Sequence, residues 1–206
     1  MALKRNLIKK WKLYCIIDSS VIKGRDPLKM VNYLSKSGVK AVQLRYKHVP
    51  TYKIVRLAKK ITRNAKRRDK IALIINDRPD AALASCASGV HLGEGDMSVQ
   101  TAKALLGPGF MVGKTVHSIK EAKMAKREKP DYIGVGPVFS TPLKKNLRAK
   151  GVAFVRKAKL VSGLPTLAIG GINKQNCRKL RESSADGVCV TRAVFRAREV
   201  VMELKK

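Results

Sequence analysis

Long apolar runs are missing from this sequence. The longest, such as Ile71 to Ile75 and Leu164 to Ile169, fall far below the roughly 18 residues that cross a bilayer, so no membrane-spanning helix is expected. Acidic residues are scarce: 14 Asp and Glu stand against 45 Lys and Arg, a formal charge of +31. Such a surface attracts polyanions non-specifically. Aromatic residues make up only 5% of the chain, which removes the usual stacking platforms for single-stranded nucleic acid. The cations are also spread through nearly every amphipathic stretch rather than gathered into one tail or groove, so no specific nucleic-acid site is expected.

Cysteine is sparse too. Cys15, Cys86, Cys177 and Cys189 form no C-x-x-C pair and have no histidine at zinc-finger spacing, which fits reduced, buried thiols in a cytoplasmic protein. No continuous apolar segment with a small-residue cleavage site follows the N-terminus, so residues 1–12 do not read as a signal peptide. They form a basic N-terminal extension, in which Leu3, Leu7, Ile8 and Trp11 can share a helical face beside Lys4, Arg5, Lys9, Lys10 and Lys12. The expectation is a short helix closing the bottom of the fold; basic amphipathic segments can also lie on membrane surfaces.

What is present is a rhythm. From Leu13 onward short β-branched runs alternate with longer amphipathic stretches, with no linker and no shift in composition. The predicted strands are 14–18, 41–45, 71–76, 89–92, 111–116, 132–134, 165–169 and 187–190. Between them the spacing turns helical, as in Ile54, Leu57, Ala58, Ile61 and Ala65, or Val194, Ala197, Val201 and Leu204. Strands that are apolar throughout are buried on both faces of a parallel sheet. Eight βα units within 206 residues therefore predict an α/β fold: one (β/α)8 TIM barrel domain over residues 1–206, eight parallel strands inside outer helices, with the short N-terminal helical extension. A doubly wound open sheet is the weaker alternative, because the first βα junction, Ser19 to Asp26, has no G-x-G-x-x-G loop.

Barrels of this kind carry their chemistry at the carboxyl ends of the strands. The second strand ends in Gln43-Leu44-Arg45-Tyr46-Lys47, and alternation throws Gln43, Arg45 and Lys47 to one side, where an amide and two cations can hold a diphosphate. Asp77 follows the third strand and Asp96 follows the fourth; two carboxylates on adjacent tips suit magnesium once a pyrophosphate supplies further oxygens. The lesser reading of Asp96 is a helix N-cap before residues 97–106. The fifth strand leads through Lys114, Thr115 and Val116 to His117, and the sixth into a long loop bearing Thr141, Leu143, Lys144 and Lys145. Gly170 and Gly171 after the seventh strand, with Thr191 and Arg192 after the eighth, stand where barrels cradle phosphate. His91, flanked by Val90 and Leu92, reads more readily as a structural histidine than as an acid–base group.

In order, Q-L-R-x-K, I-N-D-R, G-V-H-L-G-x-x-D, D-Y-I-G-V-G-P-V-F-x-T, A-I-G-G-I and A-D-G-V resemble the thiamine phosphate synthase family and its TenI-like relatives from about residue 14 to residue 200. The resemblance implies a magnesium-dependent condensation: pyrophosphate leaves an aminopyrimidine, a stabilised pyrimidine cation forms, and a thiazole nitrogen attacks it. At the matching positions Gln43, Arg45, Lys47, Asn76 and Lys144 hold the pyrimidine pyrophosphate with Thr115 beside it. Arg45, Thr115 and Lys144 carry the catalysis, and Asp77 and Asp96 bind Mg2+. Thr141, Gly171, Thr191 and Arg192 fall where the family binds thiazole phosphate. Three positions depart from the pattern: Glu94 replaces a glutamine, Leu143 a second loop threonine and Arg192 a serine.

The resemblance leaves two alternatives: a TenI-like thiazole tautomerase with His117 as the acid–base group, and a non-catalytic basic barrel that binds RNA through its charge. The expected partners are small phosphorylated molecules, with no membrane; homo-oligomer formation stays open.

Overall fold

The fold comes from a computed structural model that describes residues 2–68, 71–144 and 147–206. Eight strands, β1 (Leu13–Asp18), β2 (Ala41–Arg45), β3 (Ala72–Asn76), β4 (Gly89–Leu92), β5 (Met111–Val116), β6 (Tyr132–Val135), β7 (Thr166–Ile169) and β8 (Gly187–Val190), pair in parallel with their neighbours in chain order. β8 returns to β1 and closes the barrel. Each strand lies within one residue of its predicted span at either end. The open-sheet alternative is thereby excluded.

The helices are α1 (Ala2–Lys9), α2 (Ser19–Ile22), α3 (Pro27–Lys36), α4 (Thr51–Arg68), α5 (Pro79–Ser85), α6 (Val99–Leu106), α7 (Ile119–Glu128), α8 (Gly151–Ser162) and α9 (Ala197–Lys205). Their starts are written locally. Asp26 accepts from the Leu28 and Lys29 N–H groups with Pro27 in the first turn of α3. Ser118 accepts from the Glu121 N–H while the Glu121 carboxylate reaches back to the His117 N–H and the Ser118 hydroxyl, a capping box that opens α7. No helix among the described residues is long and apolar enough to cross a membrane.

Two apolar cores result from the two faces of the strands. The larger lies between strands and helices and takes Ile54, Ala58 and Ile61 from α4. On the last helix Ala197 and Val200 are fully buried, whereas Val201 and Leu204, predicted on the inward face, are half-buried at its margin. The smaller core fills the barrel itself with Tyr14, Ile16, Ala41, Ile74, Met111, Tyr132, Leu167 and Cys189, and rests on Ile8 and Trp11. The Trp11 ring packs against Tyr14 and Tyr132, with centroids 5.8 and 5.6 Å away.

The N-terminal segment therefore closes the floor of the barrel, but not through one continuous helical face. The helix ends at Lys9 and Trp11 lies beyond it, so Ile8 and Trp11 turn inward while Leu3 and Leu7 stay exposed. Lys4 bonds the Phe110 carbonyl at 2.5 Å, and Arg5 the Gly163 carbonyl at 2.6 Å, strapping α1 to the lower loops. Cys15, Cys177 and Cys189 are buried free thiols; Cys86, at the left-handed end of α5, is exposed.

Candidate active site

The carboxyl ends of the strands surround a cavity of about 920 Å³. Its chemistry continues the inward-facing parity of each strand. On β1 that parity runs Tyr14, Ile16, Asp18, and on β2 Ala41, Gln43, Arg45, so the side chains change from apolar to ionic on rising from floor to mouth.

Arg45 points its guanidinium at Asp18, with Nη1 2.5 Å from Oδ2. Asp18 is itself buried and takes the N–H and hydroxyl of Ser20 on its other oxygen at 2.9 and 2.7 Å. Arg45 is thus aimed by a carboxylate that is in turn held by the start of α2. We predict that Asp18→Asn leaves the barrel folded but lowers kcat/KM by about 10- to 100-fold, as loss of an outer positioning partner does elsewhere; steady-state kinetics beside a circular-dichroism spectrum checks it.

Asp77 lies just past β3 in the left-handed region, φ +62°, a conformation that aspartate tolerates better than most residues. Its N–H continues the ladder onto the His91 carbonyl at 2.9 Å. The Asp77 carboxyl sits beside that of Asp96 and 3.3 Å from Lys47 Nζ. Burial and then the neighbouring Asp96 hold its pKa above the usual carboxylate range, with Lys47 pulling the other way. Asp96 is not the N-cap of α6: Ser98 fills that role, accepting from the Thr101 N–H, and the helix starts at Val99. Instead Asp96 accepts from the Gly93 N–H at 2.6 Å, while Lys114 Nζ holds the Gly93 carbonyl at 2.8 Å. The β4 loop is pinned from both sides, which fixes Asp96 opposite Asp77.

The far wall is built by the loops after β6, β7 and β8. The loop after β6 is laced to β7 by Val138 and Phe139 N–H bonds to the Ile169 and Gly170 carbonyls. Gly170 and Gly171 have φ of +103° and +65°, and a Cβ on either would lie 2.5 Å from the β6 loop backbone. These glycines are what lets the two loops pack together. Thr141, Leu143, Gly171, Thr191 and Arg192 line this side of the cavity, with Lys174 and Arg196 at its rim.

Gln43, Arg45, Lys47, Asn76, Asp77, Glu94, Asp96, Thr115, Thr141, Gly171, Thr191 and Arg192 all line the one cavity, as do His91 and His117. Lys144 ends a short 3-10 turn, Pro142–Lys144; its side chain, and Lys145 entirely, lie outside the described residues. The expectations from sequence did not include Tyr14, Asp18 and Tyr132, whose polar atoms enter the site from strands that otherwise read as apolar core. The one signal for Asp18 was its position ending β1 in step with Tyr14 and Ile16.

A closed parallel barrel whose mouth gathers cations, amides, loop glycines and two facing carboxylates is a (β/α)8-barrel enzyme with a site for anionic groups. Residues 13–194 match the family model described as Thiamine monophosphate synthase, and the chain belongs to that family. It is 40% identical over 184 residues to the thiamine-phosphate synthase of Caldanaerobacter subterraneus subsp. tengcongensis, covering 89% of this chain and 86% of that one. It is 37% identical over 197 residues to that of Syntrophomonas wolfei, covering 95% and 94%. Among solved structures, thiamine phosphate pyrophosphorylase from Pyrococcus furiosus superposes with a TM-score of 0.86 at 31% identity, covering 97% of this chain and 98% of that one.

Proposed function

We propose that this chain is a cytoplasmic transferase that condenses 4-amino-2-methyl-5-hydroxymethylpyrimidine pyrophosphate with thiazole phosphate, giving thiamine phosphate and pyrophosphate. The observation that carries the reading is the cluster of Asp77, Asp96, Lys47 and Arg45 on one side of the cavity, faced by the glycine-lined phosphate wall after β7 and β8.

In the reaction the bond between the pyrimidine methylene carbon and the pyrophosphate oxygen breaks, and the thiazole nitrogen bonds to that carbon. Negative charge builds on the departing oxygens, so fixed cations lower the barrier without any protein nucleophile. Arg45 offers a two-pronged contact and Lys47 a point charge; Gln43 and Asn76 position the substrate, with Thr115 and Lys144 beside the leaving group.

The donor set also fits magnesium. Two carboxylates held side by side, one of them pushed toward protonation by burial and by the other, are relieved by a divalent cation, and magnesium takes one or two protein carboxylates with phosphate oxygens and water. Bound there, magnesium would neutralise pyrophosphate oxygens as they leave. Thr141, Gly171, Thr191 and Arg192 would receive the thiazole phosphate. Arg192→Ala is expected to raise KM for thiazole phosphate about tenfold or more with KM for the pyrimidine pyrophosphate unchanged; an equal rise in both would remove Arg192 from that subsite.

A tautomerase reading has one observation in its favour: His117 lines the cavity, and its Nδ1 donates to the Gly136 carbonyl at 2.6 Å, which sets its tautomer. Against it, proton transfer on a thiazole phosphate has no use for the pair Asp77 and Asp96 or for Lys47 facing them. On the synthase reading His117→Ala retains condensation activity, which a rate assay on that variant checks.

A further inference from the structure

Below the ionic mouth, a continuous line of side-chain hydrogen bonds crosses the barrel interior. Gln43 Nε2 lies 2.8 Å from Tyr14 Oη, Tyr14 Oη 3.2 Å from Tyr132 Oη, Tyr132 Oη 3.1 Å from His91 Nδ1, and His91 Nε2 2.9 Å from Thr115 Oγ1. The line passes from β2 through β1, β6 and β4 to β5, and ends at a hydroxyl on the cavity wall.

The strands make room for it. His91 pairs in register with Gly113, which pairs with Tyr132, and Thr115 pairs with Gly134. A Cβ on Gly113 would lie 2.2 Å from Tyr132 Cζ and 2.6 Å from His91 Nδ1, and one on Gly134 would lie 3.2 Å from His91 Cε1. Both glycines clear the space in which the His91 ring stacks on Tyr132, 5.4 Å between centroids.

We infer that this line runs in one direction, and that His91 is a positioning residue which turns the Thr115 hydroxyl outward as a hydrogen-bond donor to the leaving group. An amide nitrogen donates only, so Tyr14 accepts from Gln43; in the inferred direction Tyr14 gives its own hydrogen to Tyr132, the phenol within reach of it. Tyr132 gives its hydrogen to His91 Nδ1, and the ring therefore carries its proton on Nε2. That N–H donates to Thr115 Oγ1, so the Thr115 hydrogen turns to an acceptor in the cavity. Burial keeps Tyr14 and Tyr132 protonated, both held above the ordinary phenol range, so each link has a hydrogen to pass on. A pyrophosphate oxygen gains charge as its bond to carbon breaks, and a preset donor binds it more strongly in the transition state than in the bound substrate. The direction of the line does not depend on the reaction; the role of Thr115 rests on the synthase reading.

Nitrogen-15 spectra of histidine-labelled protein without substrates read the tautomer directly. The Nε2–H form of His91 is expected in the native protein, with Tyr132→Phe, and independently Tyr14→Phe, shifting it toward the Nδ1–H form. An Nδ1–H His91 in the native protein overturns the direction whether or not the chain is active. In kinetics, His91→Leu is expected to lower kcat about 10- to 100-fold with both KM values within about twofold, and His91→Gln, which keeps an N–H near Nε2, to recover part of the loss. In a Thr115→Val background His91→Leu should add less than about twofold; an undiminished loss there overturns the positioning role. A native protein with the Nε2–H tautomer that makes no thiamine phosphate overturns the synthase reading, and with it the part assigned to Thr115, while the direction of the line stands.

Discussion

Asp77→Ala lowers kcat/KM for condensation by about a thousandfold and leaves the barrel folded. The carboxyl is an end-of-strand group on the cavity wall, not a member of either apolar core, so its removal opens no packing defect. What is lost is one of two protein oxygens for a cation that would neutralise departing pyrophosphate, worth several kcal/mol of transition-state stabilisation; about 4 kcal/mol corresponds to the thousandfold.

The same residue makes an opposite prediction for stability. Asp77 has a pKa raised on folding, because burial and Asp96 disfavour its charged form more than Lys47 favours it. A carboxyl of this kind contributes most stability below its unfolded pKa, and that contribution is lost as pH rises through the folded value. At neutral pH the ionised group therefore costs stability in the unliganded protein. Asp77→Asn, which keeps the shape without the charge, should melt about 1–3 °C higher than the native chain at pH 7, with the gap closing as the pH falls into the carboxylate range. Higher stability together with lost activity marks a group held for function; a thermal melt of Asp77→Asn below the native one would contradict this assignment of cause.

The second large effect is at Arg45. Arg45→Ala removes the two-pronged contact proposed for the pyrophosphate and should lower kcat/KM by about a thousandfold. Here stability falls as well, by about 1–3 kcal/mol, because Asp18 is left buried without its cationic partner, holding the N–H and hydroxyl of Ser20. The double variant Asp18→Asn with Arg45→Ala separates the two roles: the melting temperature returns toward the native value while activity stays lost. Arg45→Lys keeps the charge but not the planar fork, and is expected to retain under about a tenth of the native rate. If the single Arg45→Ala chain were no less stable than the native one, the Asp18 contact would not be the support described above.

The barrel was legible because its strands are buried on both faces. Ile74 and Ile75, or Val188 and Cys189, face opposite cores and are equally apolar, so each strand reads as an unbroken run. On β2 the apolar run gives way to polar residues in step, which exposed Gln43, Arg45 and Lys47 together. On β1 and β6 it does not: Tyr14 and Tyr132 are mostly ring and bury completely, and their hydroxyls find polar partners only through the fold, meeting each other across 118 residues of sequence. Likewise nothing local distinguishes Asp18 as the partner of Arg45, 27 residues away; only strand register brings the two together. The face assigned to the N-terminal segment failed at Leu3 and Leu7 because that assignment carried helical spacing through Trp11, whereas the chain leaves the helix after Lys9.

Purified protein incubated with the pyrimidine pyrophosphate and thiazole phosphate, with and without magnesium, tests the central claim most directly through the thiamine phosphate formed. The account predicts product that requires both substrates and magnesium and that disappears in Asp77→Ala. Folded protein that forms none in the presence of magnesium, yet interconverts thiazole phosphate tautomers in a manner abolished by His117→Ala, would contradict it.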